Sequence, residues 1–177
     1  MATAPVSAVD LIGQTVSKSP ISVVAEVDGV LISAGLEAGE AVSEKQIIAQ
    51  IQPTDFELEV AKQHANVELA QADLKLKKSV YQRYQTLLSK NSLSANELDI
   101  AQAEYLNAKA RLKLANIELK KAKKDLADTA IAADIDGYVI ARSADIGAWV
   151  SQGELLYQLV NTNTLMVRLS ASEQDLT

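Results

Sequence analysis

Residues 25–51 and 133–159 carry the same pattern twice, aligned without a gap at an offset of 108. Eight pairs are identical, among them Asp28/Asp136, Gly29/Gly137, Gly39/Gly147, Val42/Val150 and Gln50/Gln158. Each copy reads as short strands broken by turns. Asp28-Gly29 and Asp136-Gly137 are turn dipeptides, and Gly39 and Gly147 mark a second turn, because glycine accepts positive φ at little cost. Val30 and Ile32, with Tyr138 and Ile140, are expected to face a core at strand spacing. About 27 residues cannot bury a core alone. Two copies related by a pseudo-twofold axis can enclose one between them. Two unrelated hairpins sharing turn chemistry would not be expected to match over both turns.

Between the copies the hydrophobic period changes from 2 to about 3.5. Leu98, Ala101, Tyr105, Ala108, Leu112, Ala115, Leu119, Ala122 and Leu126 alternate spacings of three and four, a heptad seam sustained for four heptads. Val60, Val67, Leu74, Tyr81 and Leu88 recur every seven residues in a partner segment, with Leu58, Ala61, Ala65, Leu69, Ala72 and Leu76 as a stripe beside them. Two helices are therefore expected, over 54–90 and 94–129. Ser89-Lys90-Asn91-Ser92-Leu93 joins them and is short enough to make them antiparallel. Thr54 with Glu57, and Ser94 with Glu97, both fit the capping box. At about 1.5 Å per residue the hairpin is about 50 Å long. Ile100, Leu106, Leu114 and Ile117 lie off the seam. They read equally as a lateral packing stripe or as scattered surface residues.

Charge and composition exclude several roles. Residues 54–128 hold thirteen Lys/Arg against eleven Asp/Glu, and the remainder holds four against twelve. That is no basic field for nucleic acid, and the acidic part disfavours anionic lipid. With no cysteine there is no disulfide, thiolate metal site or Cys nucleophile. His64 is the only histidine and sits on the first helix, where a surface role is the ordinary one. No Ser/His/Asp order, P-loop or GxGxxG appears, so neither enzyme, cofactor nor metal is expected. No apolar run approaches the roughly 20 residues of a membrane span. Met1-Ala2-Thr3-Ala4-Pro5 lacks the basic and apolar regions of a signal peptide, and the first residues read as a cut within a longer chain.

A split pair of β-half-motifs around a helical hairpin resembles the periplasmic adaptor, or membrane fusion, proteins of tripartite efflux pumps and type I secretion systems. The matching residues run from Val27-Asp28-Gly29-Val30 through Gly39-Glu40-Ala41-Val42 to Ile51-Gln52-Pro53-Thr54-Asp55-Phe56. They resume at Ala133-Asp134-Ile135-Asp136-Gly137 and end at Gly153-Glu154-Leu155-Leu156. The resemblance implies an α+β fold: a split lipoyl-like (barrel-sandwich hybrid) β-domain with an inserted long antiparallel α-helical hairpin. Its divisions would be an N-terminal strand over 1–20, a first lipoyl half over 21–52, the hairpin over 53–129, a second half over 130–162, and an exit strand over 163–177. The outer two would lead to a β-barrel domain that the chain does not complete.

The resemblance also implies a site. Arg83, Leu87 and Ser94 fit the family's R-x3-L-x6-S pattern, which implies contact between the hairpin tip and a TolC-like outer-membrane channel. Arg83 would donate a planar fork, Leu87 would insert as an apolar anchor, and Ser94 would cap its helix at the contact surface. Read as residues alone, the three are equally a solvated charge, a seam residue and a cap. An inner-membrane transporter, of RND type by hairpin length, and a hexameric ring of copies are the other implied partners, all in the periplasm. An ABC-type or type I secretion adaptor is the nearest alternative. A lipoyl or biotinyl carrier would need its modified lysine at the junction that the hairpin occupies.

Overall fold

The structure is a computed structural model that describes residues 12–17, 20–90, 94–161 and 165–170, with side chains for 20–90 and 94–161. The chain divides into two compact units, one formed from both chain arms up to Gln50 and from Ile131, the other from Ile51–Ala130. In the first unit, β1 (Ile12–Ser17) pairs antiparallel with β10 (Leu165–Ser170).

The remaining strands of the first arm are β2 (Ile21–Val24), β3 (Gly29–Ala34), β4 (Ala41–Val42) and β5 (Ile47–Ile51). Their counterparts in the second arm are β6 (Ala130–Ala132), β7 (Gly137–Arg142), β8 (Trp149–Val150) and β9 (Leu155–Val160). They form two four-stranded sheets, ordered β2-β9-β7-β4 and β6-β5-β3-β8. Each sheet takes two central strands from one arm and both edge strands from the other. Neither half-motif can complete a sheet alone.

The pseudo-twofold is visible bond by bond. Ala25 N–H donates to Glu154 O and Ala133 N–H to Gln46 O, both at 2.9 Å. Leu31 N–H donates to Ala148 O and Val139 N–H to Glu40 O, again at 2.9 Å. Gly153 N–H meets Ala25 O at 2.8 Å where Lys45 N–H meets Ala133 O at 2.7 Å. Every one of these pairs is related by the 108-residue offset.

Burial follows the same symmetry. Val23/Ile131, Ala25/Ala133, Leu31/Val139, Val42/Val150, Ile48/Leu156 and Ile51/Leu159 are all buried. The pair Ala49/Tyr157 is also buried, but one arm supplies a methyl group and the other a phenol. The Tyr157 hydroxyl donates to Ile48 O at 3.3 Å, which satisfies the polar end of a side chain 1% exposed. Burial pushes the Tyr157 phenol above its usual range.

Two sequence expectations need correction here. The strand parity is one residue out: Ile32, Tyr138 and Ile140 are exposed, Val30 is half-buried, and Leu31 and Val139 take the core. Both inner and outer faces of these strands are apolar, so alternation does not identify the buried one. Nor does Gly137 serve a left-handed turn. A Cβ there would stand 2.0 Å from the Val160 carbonyl oxygen, so glycine is required by close approach of β9. Gly39 and Gly147 do adopt the expected positive φ, at 93° and 89°.

The second unit is the hairpin of α1 (Thr54–Ser89) and α2 (Ala95–Ala127). Helices of 36 and 33 residues are far beyond the length at which helicity is marginal, and neither contains Gly or Pro. Ala101, Ala108 and Ala122 are buried, and Leu98, Tyr105, Leu112, Ala115, Leu119 and Leu126 are half-buried, so the seam of α2 lies as its heptads direct. At its base, Ile51 N–H donates to Thr129 O at 2.8 Å.

The stripe Leu58, Leu69 and Leu76 is not beside the α1 seam but turned away from it, at 64%, 72% and 59% exposure. The two helix starts also differ. Ser94 and Glu97 form the expected capping box. Thr54 does not cap α1: Pro53 is the N-cap, Thr54 is already helical, and no side chain caps that end. A proline at the boundary presets the backbone, and Asp55 and Glu57 supply charge to the first turn instead.

Candidate functional site

Arg83, Leu87 and Ser94 all lie towards the end of the hairpin where α1 stops at Ser89 and α2 begins at Ala95. The intervening residues 91–93 fall outside the described residues, so the expected turn is seen only through its flanks Ser89, Lys90 and Ser94. Arg83 is exposed on α1, in the heptad position of Leu69 and Leu76. Leu87 is half-buried one turn further on. Residues four apart lie on one helix face, so Arg83 and Leu87 present a cation beside an apolar flank.

Ser94 is held by its cap. Its Oγ accepts from the Glu97 N–H at 3.3 Å, and Glu97 Oε2 accepts from the Ser94 N–H at 3.0 Å and from Ser94 Oγ at 2.7 Å. The backbone N–H of Ser94, then its hydroxyl, hold the Glu97 carboxyl below the usual carboxylate range. Ser94 is exposed, so its hydroxyl is both the helix cap and part of the surface.

Just behind this end the two helices are fixed level with one another. The rings of Tyr81 and Tyr105 stack at 5.6 Å with 4° between planes. Lys77 Nζ pairs with Glu104 Oε2 at 2.8 Å. Glu104 raises the Lys77 ammonium above its ordinary range, first by the hydrogen bond and then by its charge. Sequence reading placed Tyr81 and Tyr105 in their seams but did not find the stacking. Aromatic residues at seam positions of both helices were the available signal.

The β-unit has polar contacts that sequence reading assigned to turns. Asp28 Oδ1 accepts from Gln152 N–H at 2.7 Å, and Asp136 Oδ1 accepts from Glu44 N–H at 2.8 Å. Each aspartate thus caps the turn of the opposite arm. Arg142 stands between the pseudo-equivalent acids Glu37 and Asp145, at 3.1 and 3.2 Å. Among the described residues no group of three or more His, Cys, Asp and Glu side chains could hold a metal ion. His64 lies 3.3 Å from Glu68, one turn along α1, as an exposed helix-surface pair.

Comparison with known proteins bears on the fold and the family. The chain is 30% identical over 153 residues to the multidrug resistance protein MdtA of Klebsiella pneumoniae, a match that covers 86% of this chain and 37% of that protein. The chain thus spans little more than a third of that relative's length. The crystal structure of MacA from Actinobacillus actinomycetemcomitans superposes with a TM-score of 0.68 at 25% identity, over 93% of this chain and 56% of that one. The membrane fusion protein Spr0693 of Streptococcus pneumoniae shares the fold, with a TM-score of 0.69 at 18% identity over 94% of this chain and 70% of that one. Residues 19–161 match the CzcB-like barrel-sandwich hybrid domain family. The match spans both half-motifs and the whole hairpin, and the chain therefore belongs to the CzcB-like barrel-sandwich hybrid family of membrane fusion, or periplasmic adaptor, proteins.

Proposed function

We propose that this chain is the lipoyl-and-hairpin part of a non-enzymatic periplasmic adaptor for efflux, joining an inner-membrane transporter of RND type to a TolC-like outer-membrane channel. The observation that carries the reading is the hairpin itself. A pair of long helices, each about five heptads, is inserted between the two halves of the β-domain, at the junction where a carrier domain would hold its modified lysine. Such an element can transmit position over about 50 Å and present a defined end. The multidrug resistance relative supports efflux as the process. Five heptads favour an RND-type partner over the longer hairpins of many secretion adaptors. No helix among the described residues is long and apolar enough to cross a membrane.

In this reading the tip docks through Arg83, Leu87 and Ser94, and several copies stand side by side around the exported substrate in a ring, taken as hexameric. The channel contact is tested in the full-length protein with cysteines placed singly at the three positions, none of the 177 residues here being cysteine and any other cysteine of the full-length chain first being replaced. Crosslinks to the outer-membrane channel are expected from all three and not from Lys121, near the hairpin base. Crosslinks from Lys121 alone would reverse the assignment. Purification of the partner transporter with the crosslinked adaptor identifies its class.

A further inference from the structure

The three tyrosines of the hairpin, Tyr81, Tyr84 and Tyr105, all lie in the half nearer its tip. Apart from Tyr81 and Tyr105, the heptad seams consist of Leu, Val and Ala. Aliphatic contacts of that kind hold two helices together without direction. A ring pair is directional, because stacked rings prefer an offset, parallel arrangement over a narrow range of separations. Tyr81 and Tyr105 meet that geometry, at 5.6 Å with 4° between planes. Ala101 and Ala108, one turn to either side of Tyr105, are 4% and 2% exposed, so small residues let the helices close in around the pair. Gln85 Nε2 donates to the Tyr81 hydroxyl at 2.9 Å and holds the outer end of that ring. The Lys77–Glu104 ion pair stands beside it.

Nearer the tip, α1 has 8 residues left, 82–89, and α2 has 10, 95–104. Helices shorter than about 12–15 residues are marginal by themselves. The last turns of α1 are weakened further. Thr86 Oγ1 donates to Gln82 O at 3.1 Å and Ser89 Oγ to Thr86 O at 2.7 Å, back-bonds of the kind that loosen and bend a helix. These turns therefore take their direction from what holds them below. At 3.6 residues per turn, Arg83 stands about 160° round α1 from Tyr81, and Leu87 about 120° on the same side. A roll of α1 by about 20° would carry side-chain atoms about 5–6 Å from its axis through about 2 Å. That distance is enough to break a hydrogen bond or to lift an apolar anchor out of its pocket.

We infer that Tyr81 and Tyr105, with Gln85 on the Tyr81 hydroxyl, are positioning residues for the tip: their stack fixes the roll of α1, and so the direction in which Arg83 and Leu87 are presented to a partner. None of the three needs to touch that partner. Tyr81 and Tyr105 are half-buried in the seam, and Gln85 acts through the Tyr81 ring. The inference rests on the docking reading for what the tip meets. The clamp itself does not depend on that reading, since every contact in it lies within the hairpin.

The test reads tip geometry and docking separately. Nitroxide labels on cysteines placed at Arg83 and Asp99, exposed residues level to within a turn, report on the tip. Labels at Leu58 and Lys123 report on the base. In double electron–electron resonance, Tyr105→Leu keeps an apolar seam residue but removes the stack, and it should widen the tip distance distribution and leave the base unchanged. Tyr105→Phe keeps the stack and should leave both narrow. Gln85→Leu, at an exposed position where folding is not at risk, should widen the tip distribution by less. In the full-length protein, Tyr105→Leu should reduce channel crosslinks from Arg83→Cys about two- to tenfold, the range a stacked pair is worth, and Tyr105→Phe should restore them. Leu119→Ala, on the same seam nearer the base, is the control: it should lower the thermal midpoint at least as far as Tyr105→Leu and leave tip distances and crosslinks alone. A tip distribution unmoved by Tyr105→Leu would overturn the inference. So would an equal loss of crosslinks in Leu119→Ala, because lost stability would then account for both. If Arg83→Cys gives no channel crosslink with every tyrosine in place, the docking reading fails, and the label distances still decide for or against the clamp.

Discussion

Lys45 carries a conformation that its pseudo-symmetric partner makes legible. Among the described residues it is the one non-glycine with positive φ, 65°, and the residue at its offset position is Gly153, with φ 86°. Both turns have the same hydrogen bonds, Gln46 N–H to Ser43 O and Glu154 N–H to Ser151 O. A side chain in the left-handed region costs about 1–2 kcal/mol. Glycine removes that cost and gives back about 0.5–1 kcal/mol through the freedom of its unfolded chain. The Lys45–Glu44 contact, at 3.5 Å with the lysine side chain 87% exposed, is too solvated to alter the balance. Lys45→Gly should therefore stabilise the β-unit by about 0.5–1 kcal/mol. With a urea slope of about 2 kcal/mol/M, that is a midpoint about 0.3–0.5 M higher at unchanged slope. Gly153→Lys should lower stability by at least as much. Trp149, in strand β8 of the β-unit and the sole tryptophan, reports on this unit by fluorescence, and ellipticity follows the helices. A midpoint unmoved or lowered by Lys45→Gly, together with a tolerated Gly153→Lys, would refute the argument that the repeat imposes one backbone on both turns.

Gly137→Ala should abolish folding of the β-unit, since its Cβ would overlap the Val160 carbonyl, while Gly35→Ala, whose nearest neighbour is Ile48 O at 3.9 Å, should fold; soluble yield and amide dispersion separate the two. Asp136→Ala should cost about 1 kcal/mol and Asp28→Ala the same, additively in denaturant titrations, while the asparagine variants, which keep a carbonyl acceptor, should lose less. Tyr157→Phe should cost about 1 kcal/mol by loss of its hydrogen bond, and Tyr157→Ala about 3–5 kcal/mol by leaving a cavity; unchanged thermal midpoints would show that this asymmetry of the core is idle. The Glu97 carboxyl is held below its ordinary value, so its contribution to the start of α2 is complete above the unfolded pKa and is lost as pH falls through the folded one. Amide exchange near Ser94 should therefore speed up in acid below the usual carboxylate range, and Ser94→Ala should speed it at every pH.

What could be read from sequence was what repeats. Two copies at a fixed offset imply a shared core, and four heptads ending in leucine and alanine imply a seam; both need only local spacing. The strand faces were not legible, because Val30 and Ile32 are as apolar as Leu31 and the choice between them is made by the opposing sheet. Thr54 matched a capping pattern, yet Pro53 beside it takes the cap position, a competition that residue identity does not settle. Asp28 and Asp136 look local in sequence but act across the domain, on residues 124 and 92 positions away. Arg83 and Leu87 were named by resemblance. What the fold adds is that Arg83 continues the outer leucine row of α1, next to a half-buried Leu87.

The exchange of edge strands between the two arms has a consequence for how the chain comes into being. Made at about 5–20 residues per second, the first arm would wait several seconds for its complement, holding β3 and β5 with open sides. Bringing the arms together through an unstructured segment the length of Ile51–Ala130, 80 residues, would cost about 4 kcal/mol in chain entropy. The hairpin avoids that cost. Its helices form from neighbouring residues, and once zipped from the tip they deliver Ile51 and Thr129 to each other as if the chain between them were a tight turn. On this view the same insertion that spans distance in the finished protein acts earlier as the guide that closes the β-domain, and variants that slip its register should misassemble sheets in which they take no part.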